Sequence, residues 1–304
     1  MLDALAIVLP IFGLVLVGFA ARKGGIIDDK AGAGLAQFVF SIALPCLILS
    51  TLARGDLPLA EPWGYWASYF VALGLTWLVA GLLARHAFGT VGVETVVAGF
   101  SAAQSNTVLI GVPLILGAFG ETAAVPLFLL VAIHLPITMS AATLLVEGRG
   151  ASLATIARKL ATHPIILGIA AGVLIRPVAG ELPDPLWRML DMLAASAAPS
   201  ALVAMGIALA RYGLEAGLPL PSAITACKLA LHPLLVWGLA TFVFPVPEEW
   251  VPIAVMFAAC PSGINAYLLA QTYKSGVALA SSAVALSTAL AVVTMAGWLA
   301  LVAG

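Results

Sequence analysis

The sequence predicts an all-α polytopic membrane protein: ten transmembrane helices as two inverted five-helix repeats, with broken helices 4 and 9 crossing near mid-depth. Three observations predict it. Hydrophobic residues make up 62% of the 304-residue chain and charged residues only 9%, with a mean hydropathy of +1.13; soluble domains carry about 25% charge. Ten apolar segments approach the roughly 20 residues that cross a hydrocarbon core. Two of them, one in each half, are interrupted by polar residues and a proline.

Segment 1 covers 3–21. Its basic residues, Arg22 and Lys23, follow the apolar run rather than precede it, the wrong polarity for a cleaved leader, so it is kept as a helix. Segments 2 and 3 cover 33–53 and 63–86. Segment 4, at 93–118, holds the first interruption, Gln104-Ser105-Asn106-Thr107 through Gly111-Val112-Pro113. Segments 5 to 8 follow at 122–146, 163–180, 187–210 and 221–245. Segment 9, at 250–271, holds the second, Cys260-Pro261-Ser262-Gly263-Ile264-Asn265, and segment 10 covers 275–303. Proline removes a backbone donor and clashes with the preceding turn. In hydrocarbon the carbonyls it frees must be buried in protein or line a wet cavity. Pro45 and Pro199, in mid-segment, read as bends. Trp63, Trp66, Trp187, Trp250 and Trp298 lie near segment ends, where aromatic belts form.

The two halves echo each other. Pro10, Gly18 and Arg22 of segment 1 recur as Pro164, Gly172 and Arg176 of segment 6, with equal spacing. Pro45 recurs as Pro199. Residues 1–150 and 151–304 thus form two five-span repeats, and an odd span count inverts the second relative to the first. Loops 1–2, 3–4, 5–6, 7–8 and 9–10 hold Arg22, Lys23, Lys30, Arg85, Arg149, Arg158, Lys159, Arg211 and Lys274; the opposite side holds only Arg54, Arg176 and Arg188. That bias places the first set in the cytoplasm and both termini outside. No soluble domain is expected.

Paired broken helices in corresponding halves point to a secondary transporter's binding site. A half-helix N-terminus suits a carboxylate; a half-helix C-terminus presents carbonyls suited to Na⁺ or a proton-linked water. Ser105, Asn106, Thr107, Ser262, Gly263 and Asn265, with Pro113 and Pro261, are therefore the candidate substrate-binding residues. Lys228 in segment 8 joins them, because a charge inside a span is a functional candidate by default. It neutralises an anion, stands in for a coupling cation, or snorkels to the headgroups. His232 follows it at i+4, on the same helix face. Gln104, Gln271 and His134 are candidates for a coupling-ion site, with Na⁺ and H⁺ both open. Carboxylates avoid the span centres, which argues against an Asp/Glu proton pump; Asp191, one turn into segment 7, is the exception.

The remaining features exclude other classes. A net charge of −1 leaves no nucleic-acid footprint. Cys46, Cys227 and Cys260 read as small buried hydrophobes, without disulfide or metal spacing. No H-E-x-x-H or G-x-S-x-G motif occurs, so an intramembrane enzyme is not expected, nor is a cofactor.

The run from Asn106 to Leu114 resembles the helix-4 signature of the auxin efflux carrier (PIN-like) family. Phe38-Val39-Phe40 through Pro45, Lys228 with Pro233, and Pro261 through Asn265-Ala266 with Ala270 extend the likeness along nearly the whole chain. The resemblance implies a scaffold of helices 1, 2, 6 and 7 and a transport unit of helices 3–5 and 8–10. It implies elevator-like movement, a homodimer, and a small organic anion as substrate, such as a mono- or dicarboxylate. It places the substrate-contacting asparagine at Asn106 and the crossover prolines at Pro113 and Pro261. The short link from Glu147 to Thr162 follows the bacterial pattern, which implies the bacterial inner membrane. The alternative reading is a sodium-coupled symporter of the related bile-acid type.

Overall fold

The computed structural model describes residues 2–55, 63–148 and 164–302. Among these residues all regular structure is helical, apart from one isolated β-bridge between Ser105 and Ser262. Seven helices are long and apolar enough to cross a membrane: Leu2–Lys23, Asp29–Arg54, Trp63–Phe88, Glu121–Glu147, Asp184–Leu209, Pro219–Phe242 and Val277–Val302. The other apolar stretches are shorter or interrupted. Residues 93–119 divide into Val93–Ala103 and Thr107–Phe119, and residues 251–272 into Val251–Ala259 and Ile264–Thr272. Pro164–Gly180 is a shorter apolar helix. The basic residues Arg149, Arg158 and Lys159, and the start of segment 6 with His163, lie outside the described residues.

In chain order the α-helices are α1 (Leu2–Lys23), α2 (Asp29–Phe38), α3 (Leu44–Arg54), α4 (Trp63–Phe88), α5 (Val93–Ala103), α6 (Val112–Phe119) and α7 (Ala124–Glu147). The second half holds α8 (Pro164–Ile175), α9 (Asp184–Leu209), α10 (Pro219–Ala226), α11 (His232–Phe242), α12 (Val251–Ala259), α13 (Ile264–Thr272) and α14 (Val277–Val302). Large apolar side chains stay exposed on the outward faces, Leu16 and Val17 of α1, Leu78 and Leu82 of α4 and Val293 of α14 among them. Such a surface would be a liability in water and is the expected one in lipid.

Three prolines share one local device. A π-turn at Val39–Ala43 ends two residues before Pro45, one at Thr107–Gly111 two before Pro113, and one at Cys227–Leu231 two before Pro233. Proline cannot bond the carbonyl four residues back and its ring crowds it. Widening the preceding turn to an i+5 pattern moves that carbonyl aside. Pro113 therefore does not break its helix; it sits in the first turn of α6, where a missing N–H costs little. The break lies earlier, at residues 104–106. Pro233 leaves the carbonyl of Leu229 without its usual donor, and the Trp298 indole supplies one at 2.8 Å. Trp298 is thus tied into the bundle by its polar edge. Pro199, by contrast, lies within an uninterrupted α9.

Without a hydrophobic force between helices in lipid, close backbone contact through small residues holds bundles together. A Cβ on Gly18 would lie 2.1 Å from the Val203 carbonyl oxygen of α9, and one on Gly206 would lie 1.9 Å from that of Val15 in α1. Gly172 of α8 abuts α3 in the same manner, its Cβ position 3.0 Å from the Leu49 oxygen. The interfaces α1–α9 and α3–α8 leave no room for a side chain at these points. Arg54 closes the end of α3 with a two-pronged bond to Asp191 of α9 and lies over the Trp187 ring, 4.7 Å from its centroid. Arg176 donates to the carbonyls of Leu52 and Gly55.

Candidate functional site

The interrupted stretches meet. After α5 ends at Ala103, and after α12 ends at Ala259, the backbone is extended at Gln104 and at Gly263. The two segments run antiparallel and exchange hydrogen bonds: Asn106 N–H donates to Pro261 O at 2.8 Å, and Gly263 N–H to Gln104 O at 2.9 Å. Each break thereby satisfies part of the backbone the other leaves unpaired, which hydrocarbon could not do. Gly263 suits this close approach, since a Cβ there would lie 3.1 Å from Ser105 O and press on it.

Side chains finish the task. Ser262 Oγ donates to Ser101 O at 2.7 Å, a carbonyl exposed by the end of α5, and Ser262 N–H donates to Ser287 Oγ of α14 at 3.0 Å. Lys228 Nζ is fully buried and donates to Ser105 Oγ at 2.7 Å and to Ala258 O at 2.6 Å, with His232 Nδ1 at 3.0 Å. An ammonium has three donors; Ser105 and Ala258 accept two of them, and His232 Nδ1 accepts the third in the tautomer that carries its proton on Nε2. Lys228 thus spans both breaks from α10–α11 and does not reach toward the headgroups. Beyond Ser105 the buried polar set continues through Tyr69, whose hydroxyl lies 3.1 Å from His134 Nδ1. The Nε2 atoms of His134 and His232 are buried and have no hydrogen-bond partner among the described residues.

On one side of the crossing lies a cavity of about 340 Å³, within the range of small-molecule sites. Its walls are α2, the start of the first π-turn, α7, Ile165 of α8, α9 and α13, and its floor is the first break. Gln104, Ser105, Asn106, Thr107, Asn265 and Gln271 all line it. Pro113, Pro261, Ser262, Gly263, Lys228 and His134 do not. The lining residues differ in how free they are. Gln104 Oε1 is 3.1 Å from the Thr138 hydroxyl, and Gln271 Nε2 donates to Tyr267 at 2.7 Å. Asn106 gives its amide N–H only to the sulfur of Met205, a weak acceptor, at 3.0 Å. Among the described residues, the side chains of Thr107 and Asn265 make no hydrogen bond. Asn106 and Thr107 are only 6% and 5% exposed, so these unpaired polar atoms face the cavity rather than bulk solvent.

Several participants were not legible in the sequence. Met205 lies in an unbroken apolar helix, and Ser101, Ser287 and Thr138 look like ordinary small helix residues. Asp29 and Arg211, at the two ends of the long path from α2 to α9, reach the cavity mouth. Beyond the mouth, Tyr273 donates to Glu147 at 2.7 Å, tying the end of α13 to the end of α7. Burial and that carboxylate together raise the Tyr273 hydroxyl above the usual phenol range.

The chain matches the membrane transport protein family over residues 3–299. It is 31% identical to a protein of Rhizobium meliloti (strain 1021) named "Putative malonate transporter", over 99% of this chain and 97% of that one. It is 26% identical to an uncharacterized transporter of Methanothermobacter thermautotrophicus, over 96% of each. A further uncharacterized transporter, of Methanocaldococcus jannaschii, is 22% identical over 97% of this chain and 98% of its own.

Proposed function

The chain belongs to the membrane transport protein family, and from that premise we propose that it is a secondary carrier for a small organic anion, working by elevator-type alternating access. The observation that carries this reading is the cavity floored by the first break, where, among the described residues, the side chains of Thr107 and Asn265 have no hydrogen-bond partner and that of Asn106 has only the weakly accepting Met205 sulfur. Such groups cost free energy when dry and unpaired, and a carboxylate beside half-helix termini would satisfy them. The printed name of the Rhizobium meliloti relative makes malonate and similar dicarboxylates the first solutes to test.

Ten membrane crossings in two inverted repeats agree with the paired contacts. Helix α1 meets α9 through Gly18 as α8 meets α3 through Gly172, the exchange that a two-fold axis in the membrane plane would produce. Helices α1, α2–α3, α8 and α9 then form the scaffold, and α4–α7 with α10–α14 the moving unit. The cavity opens between the start of α2 and the ends of α9 and α13, the side that the Lys/Arg bias assigns to the bacterial cytoplasm. The protein would thus stand inward-facing in the inner membrane.

Sodium coupling of the bile-acid type is the competing reading. It is disfavoured by Lys228, whose ammonium already takes the Ala258 carbonyl and the Ser105 hydroxyl at the crossing. Reconstitution into proteoliposomes tests both: uptake of labelled malonate, succinate and an aromatic acid is measured with Na⁺ and with choline outside. Saturable dicarboxylate uptake of equal rate in both media is expected. Uptake that requires Na⁺ would select the symporter, and no saturable uptake of any acid would reject the anion reading.

A further inference from the structure

Among the described residues, the cavity wall carries only two charged residues, Asp29 and Arg211, and they are not equivalent. Asp29 begins α2, and both of its oxygens are taken by Arg22, at 2.8 and 3.0 Å. Arg211 stands two residues past the end of α9, 4.0 Å from Asp29 Oδ1 and with its side chain 49% exposed. It makes no side-chain hydrogen bond among the described residues. At the opposite end of the same helix pair, Arg54 is fully engaged by Asp191 and Trp187. Arg22 and Asp29 pair off, which leaves Arg211 as the guanidinium at the cavity wall without a hydrogen-bonded carboxylate.

We infer that Arg211 sets the charge selectivity of the cavity by drawing solute carboxylates to its mouth, and that Arg22 keeps it available by occupying Asp29. The inference rests on the anion reading above and deepens it. With Arg22 absent, the freed Asp29 carboxylate would close the short gap to Arg211 and cancel its field. With Asp29 neutral, its carboxylate would no longer offset the field of either guanidinium at the cavity. A dicarboxylate, with two charges to respond, feels the difference more than a monocarboxylate, and a neutral diamide not at all. Mobile ions screen the effect at this half-exposed position.

The test is malonate, acetate and malonamide binding to the purified full-length protein by titration calorimetry, at low and high ionic strength. Arg211→Gln is expected to weaken malonate about fivefold, the weight of one unit charge some 4 Å away in a water-like dielectric. Acetate should weaken less, and Arg211→Lys should keep most of the affinity. Arg22→Gln should weaken malonate in the same direction, whereas Asp29→Asn should tighten it. These last two variants break the same pair of hydrogen bonds, so a purely structural role would move affinity the same way in both. A shared direction, or an Arg211→Gln protein that binds malonate as wild type does, would overturn the inference while leaving the anion reading intact. Wild-type protein that binds no carboxylate would overturn both.

Discussion

Replacing Lys228 by methionine keeps the stem and deletes the ammonium. Three buried acceptors lose their donor: Ser105 Oγ at 2.7 Å, Ala258 O at 2.6 Å and His232 Nδ1 at 3.0 Å. Each buried polar group left unmade costs about 1–3 kcal/mol. Against that stands relief of the several kcal/mol spent on desolvating a buried charge. The net loss is on the order of 2–4 kcal/mol. At roughly 2 °C per kcal/mol for a chain of this size, Tm should fall by about 4–8 °C. Tryptophan fluorescence of the detergent-solubilised protein reads the transition, and Trp298 reports locally through its bond to Leu229 O. Because Lys228 does not line the cavity, malonate affinity in the surviving folded fraction should change less than twofold. An unchanged Tm with a large loss of affinity would refute the reasoning, since it would put the ammonium on the solute rather than on the backbone.

Asn106→Ala should abolish proteoliposome uptake yet lower Tm by only a degree or two, because the one protein bond it loses is to the sulfur of Met205. Gly263→Val should reduce uptake and Tm together, since even the first carbon of the new side chain would lie 3.1 Å from Ser105 O; thermal melting and uptake on one preparation check it. Trp298→Phe should cost about 1–2 kcal/mol, seen as a lower melting temperature, by orphaning the Leu229 carbonyl that Pro233 cannot serve. Gly18→Val should prevent α1 from seating on α9, where Val203 O lies 2.1 Å from the Cβ position. Loss of monodisperse protein in size-exclusion chromatography is the expected readout.

The sequence placed most of the helical stretches to within a few residues. Residues 63–86 became Trp63–Phe88, and 187–210 became Asp184–Leu209. It also marked both interruptions, because polar residues in an apolar run have no other affordable place. The exact position of the first break was another matter. Pro113 is the strongest local signal in that stretch, yet its cost is absorbed by the π-turn before it, and the chain departs from helix earlier, at Gln104. The i, i+4 spacing of Lys228 and His232 correctly put their side chains together, 3.0 Å apart.

What composition and spacing determined alone is the medium and the scale. Few charges, long apolar runs and matched polar gaps dictate a helical membrane protein whose gaps must be hidden from lipid. What tertiary structure decided is the division of labour among the polar residues. Sequence neighbours such as Ser105 and Asn106, or Ser262 and Asn265, look alike until the breaks pair. The pairing then assigns Ser262 and Lys228 to backbone carbonyls and leaves Asn106 and Asn265 at the cavity. The reason is physical: a hydrogen-bond partner more than a hundred residues away, as Ser101 is for Ser262, leaves no trace in local spacing, and only its presence tells a satisfied group from one still able to bind.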